Sequence, residues 1–132
     1  MRLSAAALIL VSACTTVPSK DDELHNRLVG KWATARHFAN GHQQESIELS
    51  KDGLIRIQRT YHDANGDATT VTQGRWRIKH GEFVLRTSDS ASSAEARVGV
   101  ECRQRIVAVT DWEWVMEEPQ GVAEFRAWRY PK

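Results

Sequence analysis

The sequence predicts an all-β chain, folded as an antiparallel up-and-down barrel of about eight to ten strands. Three observations carry that expectation. Short runs that alternate polar with apolar residues recur between turn signals. No segment beyond residue 28 keeps a helical period, so no crossover helix is available to join parallel strands. Closure is the best way for so short a chain of consecutive hairpins to remove its sheet edges. An open sandwich is the alternative use of the same strands.

Taken in order, Asp21 and Asp22 stand where helix-capping residues would, ahead of Glu23, Leu24, Arg27 and Leu28, and predict one helical turn. Val29 to Phe38 is the first strand, closed by Asn40-Gly41, a strong hairpin signal. Ser46 to Leu49 places Ile47 and Leu49 on one face before Lys51-Asp52-Gly53 turns the chain, and Leu54 to Tyr61 then aligns Ile55, Ile57 and Tyr61. After the Asp63-Ala64-Asn65-Gly66 turn, the threonines of Ala68 to Gln73 favour a strand. Gly74 precedes Arg75 to Lys79, with Trp76 and Ile78 facing in and the cations facing water. His80-Gly81 leads into Phe83 to Leu85, and Asp89 to Ser93 reads as the longest loop. Ala96 to Val109, broken near Arg103 to Arg105, then Trp112 to Glu117 and Val122 to Trp128 complete the set. Eight strands enclose room for packed side chains or for one small ligand.

Leu3 to Ala13 is too short for a membrane-spanning helix, which needs roughly twenty residues. Arg2, the apolar stretch Ala5 to Val11, and small Ser12 and Ala13 instead make residues 1–13 a signal peptide. Val11-Ser12-Ala13-Cys14 resembles the lipobox of bacterial lipoproteins. That resemblance implies cleavage before Cys14, a diacylglyceryl group on its sulfur, N-acylation, and attachment to a membrane through the lipid. Two or more acyl chains hold stably where one is marginal, at about 0.8 kcal/mol per buried CH₂. Thr15 stands where an aspartate is associated with inner-membrane retention, so the resemblance implies a place in the cell envelope, on the outer membrane and facing the periplasm. Residues 14–22 are short and polar and contain Pro18, a tether ahead of the barrel domain, 23–132.

About 119 residues follow the signal, enough for one domain. The chain has 18 Lys and Arg against 17 Asp and Glu, and loss of Arg2 with the signal leaves the mature form formally neutral, with no basic excess to suggest nucleic acid. With Cys14 used by lipid, Cys102 has no partner for an intramolecular disulfide, and its alternation with Ala96, Val98 and Val100 predicts a small buried hydrophobe.

Leu28-Val29-Gly30-Lys31-Trp32 resembles the Gly-x-Trp signature of lipocalins and lipocalin-like domains. In that family the tryptophan closes one end of the barrel beneath an arginine from the last strand. The resemblance implies structural, barrel-closing roles for Gly30 and Trp32, and offers Arg126 or Arg129 for the cation, with Arg126 preferred because Phe125-Arg126 resembles the ending of small bacterial lipocalin-like proteins. Gly74 to Ile78, followed by Gly81 to Leu85, is similar to a mid-chain pair of strands in the same domains, and Thr110-Asp111-Trp112 faintly resembles a lipocalin motif. Such a likeness transfers a fold more safely than a function.

Asp63, Asn65 and Asp67 have the rhythm of a calcium loop, but Ala68 and Gly74 occupy its glycine and glutamate positions, so a plain turn is expected. His37, His42, His62 and His80 read as turn histidines, since spacing supplies zinc with no third and fourth ligand. No nucleophile elbow, phosphate loop or metalloprotease motif is present, so neither an enzyme nor a cofactor is expected. Trp112, Trp114 and Met116 share one strand face, with Phe125 and Ala127 beside them. Together with Trp76 and Ile78 they form either core or the wall of a cavity for a small apolar or amphipathic ligand or a lipid. The competing expectation is a non-catalytic interaction or inhibitor scaffold that meets an envelope protein partner through the Asp89 to Ser93 region.

Overall fold

The structure is a computed structural model that describes residues 19–90, 101–117 and 124–130. One helix, α1 (Lys20–Leu28), precedes eight strands: β1 (Gly30–Phe38), β2 (Gly41–Leu49), β3 (Leu54–Asp63), β4 (Gly66–Lys79), β5 (Glu82–Ser90), β6 (Glu101–Val109), β7 (Glu113–Glu117) and β8 (Glu124–Arg129). Every strand pairs antiparallel with the next and β8 returns to β1, so the sheet closes into an up-and-down barrel. Cys14 and the signal segment lie outside the described residues, as do Ala91, Ser92 and Ser93 of the expected loop; Asp89 and Ser90 belong to β5.

The helix is longer than the single turn expected and begins earlier. Ser19, not an aspartate, is its N-cap and accepts from the Asp22 N–H at 3.1 Å, so the helix takes in the last residues of the expected tether. Asp21, relieved of capping, reaches across to the β4–β5 turn, where its carboxylate accepts the backbone N–H groups of His80 and Gly81 at 2.8 and 2.9 Å. His25 stacks on Trp76 with centroids 4.3 Å apart, and Leu28 is fully buried. α1 therefore lies across one end of the barrel as a floor.

The two expected strands on either side of Gly74 are one strand, β4, whose alternation runs unbroken through buried Thr72, Gly74 and Trp76; the register shift beside Gln73/Gly74 is taken up by β5, where Ser88 is the extra residue. Glycine is required there: a Cβ on residue 74 would meet the Arg86 carbonyl oxygen at 2.3 Å. A second irregularity, between Ile106 and Ala108, lies just past the break expected in β6. It follows a correction at Cys102, which is exposed rather than buried although it shares the inward register with Gln104.

The core fills only the floor half of the barrel. Trp32 from β1, Ile47 and Leu49 from β2, Ile55 and Ile57 from β3, Trp76 from β4, Phe83 from β5, Trp114 and Met116 from β7 and Ala127 from β8 are all buried with Leu28. Arg129, not the preferred Arg126, closes this end. Its guanidinium carbon lies 4.1 Å from the Trp32 ring centre, and it donates to the carbonyls of Arg27, Val29 and Asp111 at 2.6, 3.0 and 2.9 Å. Strand alternation decides between the two arginines: with Ala127 inward, Arg129 points inward and Arg126 outward, where it pairs with Glu113 and Glu124. Gly30 makes room for the clasp, since a Cβ there would stand 2.7 Å from Arg129 Nη1, and its φ of +133° is itself costly for any other residue.

Outside, Arg77, Glu101, Arg103 and Glu82 form a connected set of ion pairs, and Arg105 pairs with Glu117. Val84 is buried on this outer face with Arg77 and Arg103 as its cross-strand neighbours, whose aliphatic stems are placed to cover it.

Arg129→Ala should lower unfolding free energy by about 2–4 kcal/mol, through the lost cation–π contact and three carbonyls left unpaired, while Arg126→Ala stays within about 0.5 kcal/mol. Equal urea midpoints for the two variants would contradict the clasp. Two of the outer ion pairs contribute to the response to acid. The Arg105 hydrogen bond holds the Glu117 carboxyl below its ordinary value. At Glu101 desolvation pushes upward, but hydrogen bonds and charge from Arg77 and Arg103 outweigh it and the net direction is down. Carboxylates lowered by folding contribute stability that is complete above their unfolded pKa of about 4.3 and is lost as pH falls through the folded values. Their share of stability should therefore be lost below about pH 4 as a modest fall in the thermal midpoint, smaller in Arg105→Gln; identical pH profiles would rule out the Arg105 contribution.

Candidate functional site

Above the packed floor the inward faces change character. Along β2 they run Leu49, Ile47, Glu45, Gln43, and along β3 Ile55, Ile57, Arg59, Tyr61, so each strand is apolar at the closed end and polar toward the open one. Here the barrel holds an open cavity of about 420 Å³. Ile57, Phe83, Leu85, Trp114, Met116 and Phe125 line its apolar part; Thr34, Arg36, Gln43, Glu45, Arg59 and Gln104 form a polar collar. A volume of this size with convergent polar groups lies within the usual range for small-molecule sites.

The collar is organised by an ion pair. Arg59 Nε donates to Glu45 Oε2 across the β2–β3 pair, with the two side chains 25% and 12% exposed. A charge so far removed from water needs its partner, and each holds the other in the cavity wall. Among the described residues β1 and β8 pair at Trp32/Arg129 and Ala33/Trp128. Beyond those rungs the backbone ladder gives way to a side-chain bond, from Thr34 Oγ1 to the Arg126 carbonyl at 2.9 Å. Ala35, Glu124, Arg126 and Trp128 edge the cavity along that seam.

Of the residues expected on a cavity wall, Trp114, Met116 and Phe125 line it. Trp76 does not: it belongs to the floor, stacked between His25 and Phe83 at 4.3 and 5.9 Å, with Nε1 donating to the Ser50 carbonyl. Ile78 packs against the same core rather than the cavity. Trp112 is a correction, being 71% exposed in a bend before β7, where Thr110 Oγ1 accepts from the N–H groups of Trp112 and Glu113. The bend ends the alternation that placed Trp112 beside Trp114. Arg36, Glu45, Arg59 and Gln104 were missed as site residues, although the polar turn of the β2 inward face is a signal that marks Gln43 and Glu45.

The Asp63 to Gly66 segment is the β3–β4 turn, fixed by the Asn65 N–H donating to Asp63 Oδ1 at 2.7 Å. His37, His42 and His62 form a row across the outer face of β1, β2 and β3, and His62 Nδ1 lies 2.7 Å from Asp67 Oδ1. Among the described residues no three His, Cys, Asp or Glu side chains are grouped so as to hold a metal ion.

No protein-family model matches the chain, and no curated protein matches it. The barrel itself, eight antiparallel strands closed by a helix and a cation-capped tryptophan, is compatible with a lipocalin-like fold.

The Glu45–Arg59 pair yields a test of the collar. Glu45→Gln should cost about 1–2 kcal/mol, because it strands a mostly buried guanidinium, whereas Glu45→Met with Arg59→Met should return most of that loss. Urea unfolding measures both. A double variant no more stable than the single would remove the pair from this role.

Proposed function

We propose that the chain is a lipid-anchored lipoprotein of the cell envelope, on the outer membrane facing the periplasm, and that its barrel binds a small amphipathic or apolar molecule. The observation that carries the binding reading is the cavity of about 420 Å³ in the open half of a barrel whose other half is tightly packed. A domain built only as a scaffold gains nothing from an inward-facing collar of Glu45, Arg59, Gln43 and Gln104 above an apolar floor. Amphipathic ligands suit it best: the aromatic and aliphatic wall takes the apolar body, and the collar meets the polar end.

Anchoring is supported by the lipobox-like Val11-Ser12-Ala13-Cys14 and by the signal-like residues before it. The reading needs no catalytic group, and it assigns Gly30, Trp32 and Arg129 to structure rather than to binding. A second reading, a scaffold for an envelope protein partner, is favoured by Trp112, Trp128 and Tyr130, which are 71%, 49% and 41% exposed.

Native mass spectrometry of the mature chain purified from a bacterial envelope tests both parts. The expected spectrum shows two or three acyl chains on Cys14 and a further mass that leaves on denaturation. An unmodified Cys14 thiol would overturn the anchor. A bare chain that also fails to bind amphiphiles in solution would overturn the carrier reading and move the weight to a protein partner.

A further inference from the structure

The aromatic side chains left on the outside of the barrel gather at its closed end. Trp112 is 71% exposed, Trp128 49% and Tyr130 41%. Trp112 lies in the bend between β6 and β7, where its carbonyl accepts from the Arg129 N–H at 2.9 Å. Trp128 stands opposite Glu113 on β7 and Ala33 on β1, and the Tyr130 N–H donates to the Lys31 carbonyl at 3.0 Å. Trp128 and Tyr130 thus flank the inward-pointing Arg129 and turn the opposite way from it, toward the outside. Phe38, the other exposed ring, ends β1 at the mouth.

The chain ahead of the barrel reaches this same end from its opposite edge. α1 starts at Ser19 near the β4–β5 turn, where Asp21 holds it, and ends at Leu28 beside the clasp, where Arg129 holds the Arg27 and Val29 carbonyls. Its nine residues cross about 14 Å of the floor. In the strand order of the barrel the β4–β5 turn lies across from the join of β8 to β1. Residues 15–18 separate Ser19 from Cys14. A lipid on Cys14 therefore holds one edge of the floor within roughly 17 Å of the bilayer, and the three aromatic residues stand at the other edge. Trp and Tyr settle at a membrane–water interface, with the ring body in the apolar boundary and the polar tip in water.

We propose that Trp112, Trp128 and Tyr130 rest in the interfacial layer of the bilayer that carries the Cys14 lipid, so that the protein meets the membrane at two edges of its floor. The inference rests on the reading of Cys14 as an anchor and adds the face and the residues that touch lipid. A tether alone leaves the domain free to tumble; a second contact sets the barrel axis across the membrane plane and turns the mouth toward water. The contact is aromatic rather than electrostatic, because the mature chain is formally neutral and α1 exposes Asp22 and Glu23 beside Lys20 and Arg27. The same rings suit a protein partner, but the tether delivers lipid to this end.

Tryptophan emission of the mature, acylated protein tests the contact on vesicles of phosphatidylethanolamine and phosphatidylglycerol, with and without lipids brominated in the upper acyl chain. Bromine quenches on contact, and Trp32, Trp76 and Trp114 are buried, so the signal reports Trp112 and Trp128. Brominated vesicles should remove the share of emission that these two of the five tryptophans carry. Trp112→Ser combined with Trp128→Thr should still float with the vesicles and lose the bromine effect; where that variant does not fold, the wild-type emission decides. Protein that floats with the vesicles yet emits equally on both kinds overturns the inference, leaves the anchor standing and frees the rings for a protein partner. A bromine effect that survives in the folded double variant overturns it too. Protein that does not float removes the anchor reading, and this inference with it.

Discussion

The clasp of Arg129 over Trp32 is the constraint on which the barrel depends. Closure of an eight-strand sheet requires the last strand to meet the first, and among the described residues β8 and β1 share two rungs. Backbone pairing alone is a thin join. Arg129 adds to it by tying three carbonyls from separate parts of the chain, Arg27 at the end of α1, Val29 before β1 and Asp111 before β7, while its charge covers the Trp32 ring. Trp32 in turn donates to Leu28. Helix, first strand and last strand are thus held at one point, and Gly30 is the residue whose missing side chain lets the guanidinium through.

Concentrating closure at the floor has a consequence at the other end. The packed aromatic group of Trp32, Trp76, Phe83 and Trp114 supplies burial where the clasp sits, so the open half need not be apolar to keep the barrel shut. Polar side chains can then face inward, at the cost of pairing them, as Glu45 and Arg59 are paired. Stability and cavity are divided along the barrel axis rather than competing for the same residues.

Much of this was legible in the sequence because it depends on local chemistry. The hairpin at Asn40-Gly41, the turn at Asp63 to Gly66 and the inward positions of Trp76 and Ile78 follow from turn preferences and the period of two. The Gly-x-Trp pair was legible as a barrel end. Its arginine was not, since choosing Arg129 over Arg126 requires knowing which face of β8 turns inward, and the resemblance outweighed the alternation that sets Arg126 on the face away from Phe125. Trp112 failed for a related reason: alternation was carried through a bend that hydrogen bonds to Thr110 Oγ1 stop. The cavity residues were harder still. Arg59 stands between Ile57 and Tyr61 on an inward face, and a cation there reads as an interruption until the cross-strand register brings Glu45 opposite it.

The same division bears on how the protein would meet a membrane. On the reading that Cys14 carries lipid, four residues separate it from the Ser19 cap, and five residue steps reach at most about 17 Å. Ser19 opens α1 at the floor, where Asp21 grips the turn between β4 and β5. The anchored end is then the closed end, and the collar lies away from it, Thr34 and Arg36 standing four and six residues up β1 from Gly30, roughly 13–20 Å along the strand. A ligand would exchange with the aqueous side through the mouth rather than pass straight up from the lipid. That arrangement favours a ligand with appreciable solubility of its own over a long acyl chain, in keeping with a cavity that stops at the Trp114 wall instead of running the length of the barrel.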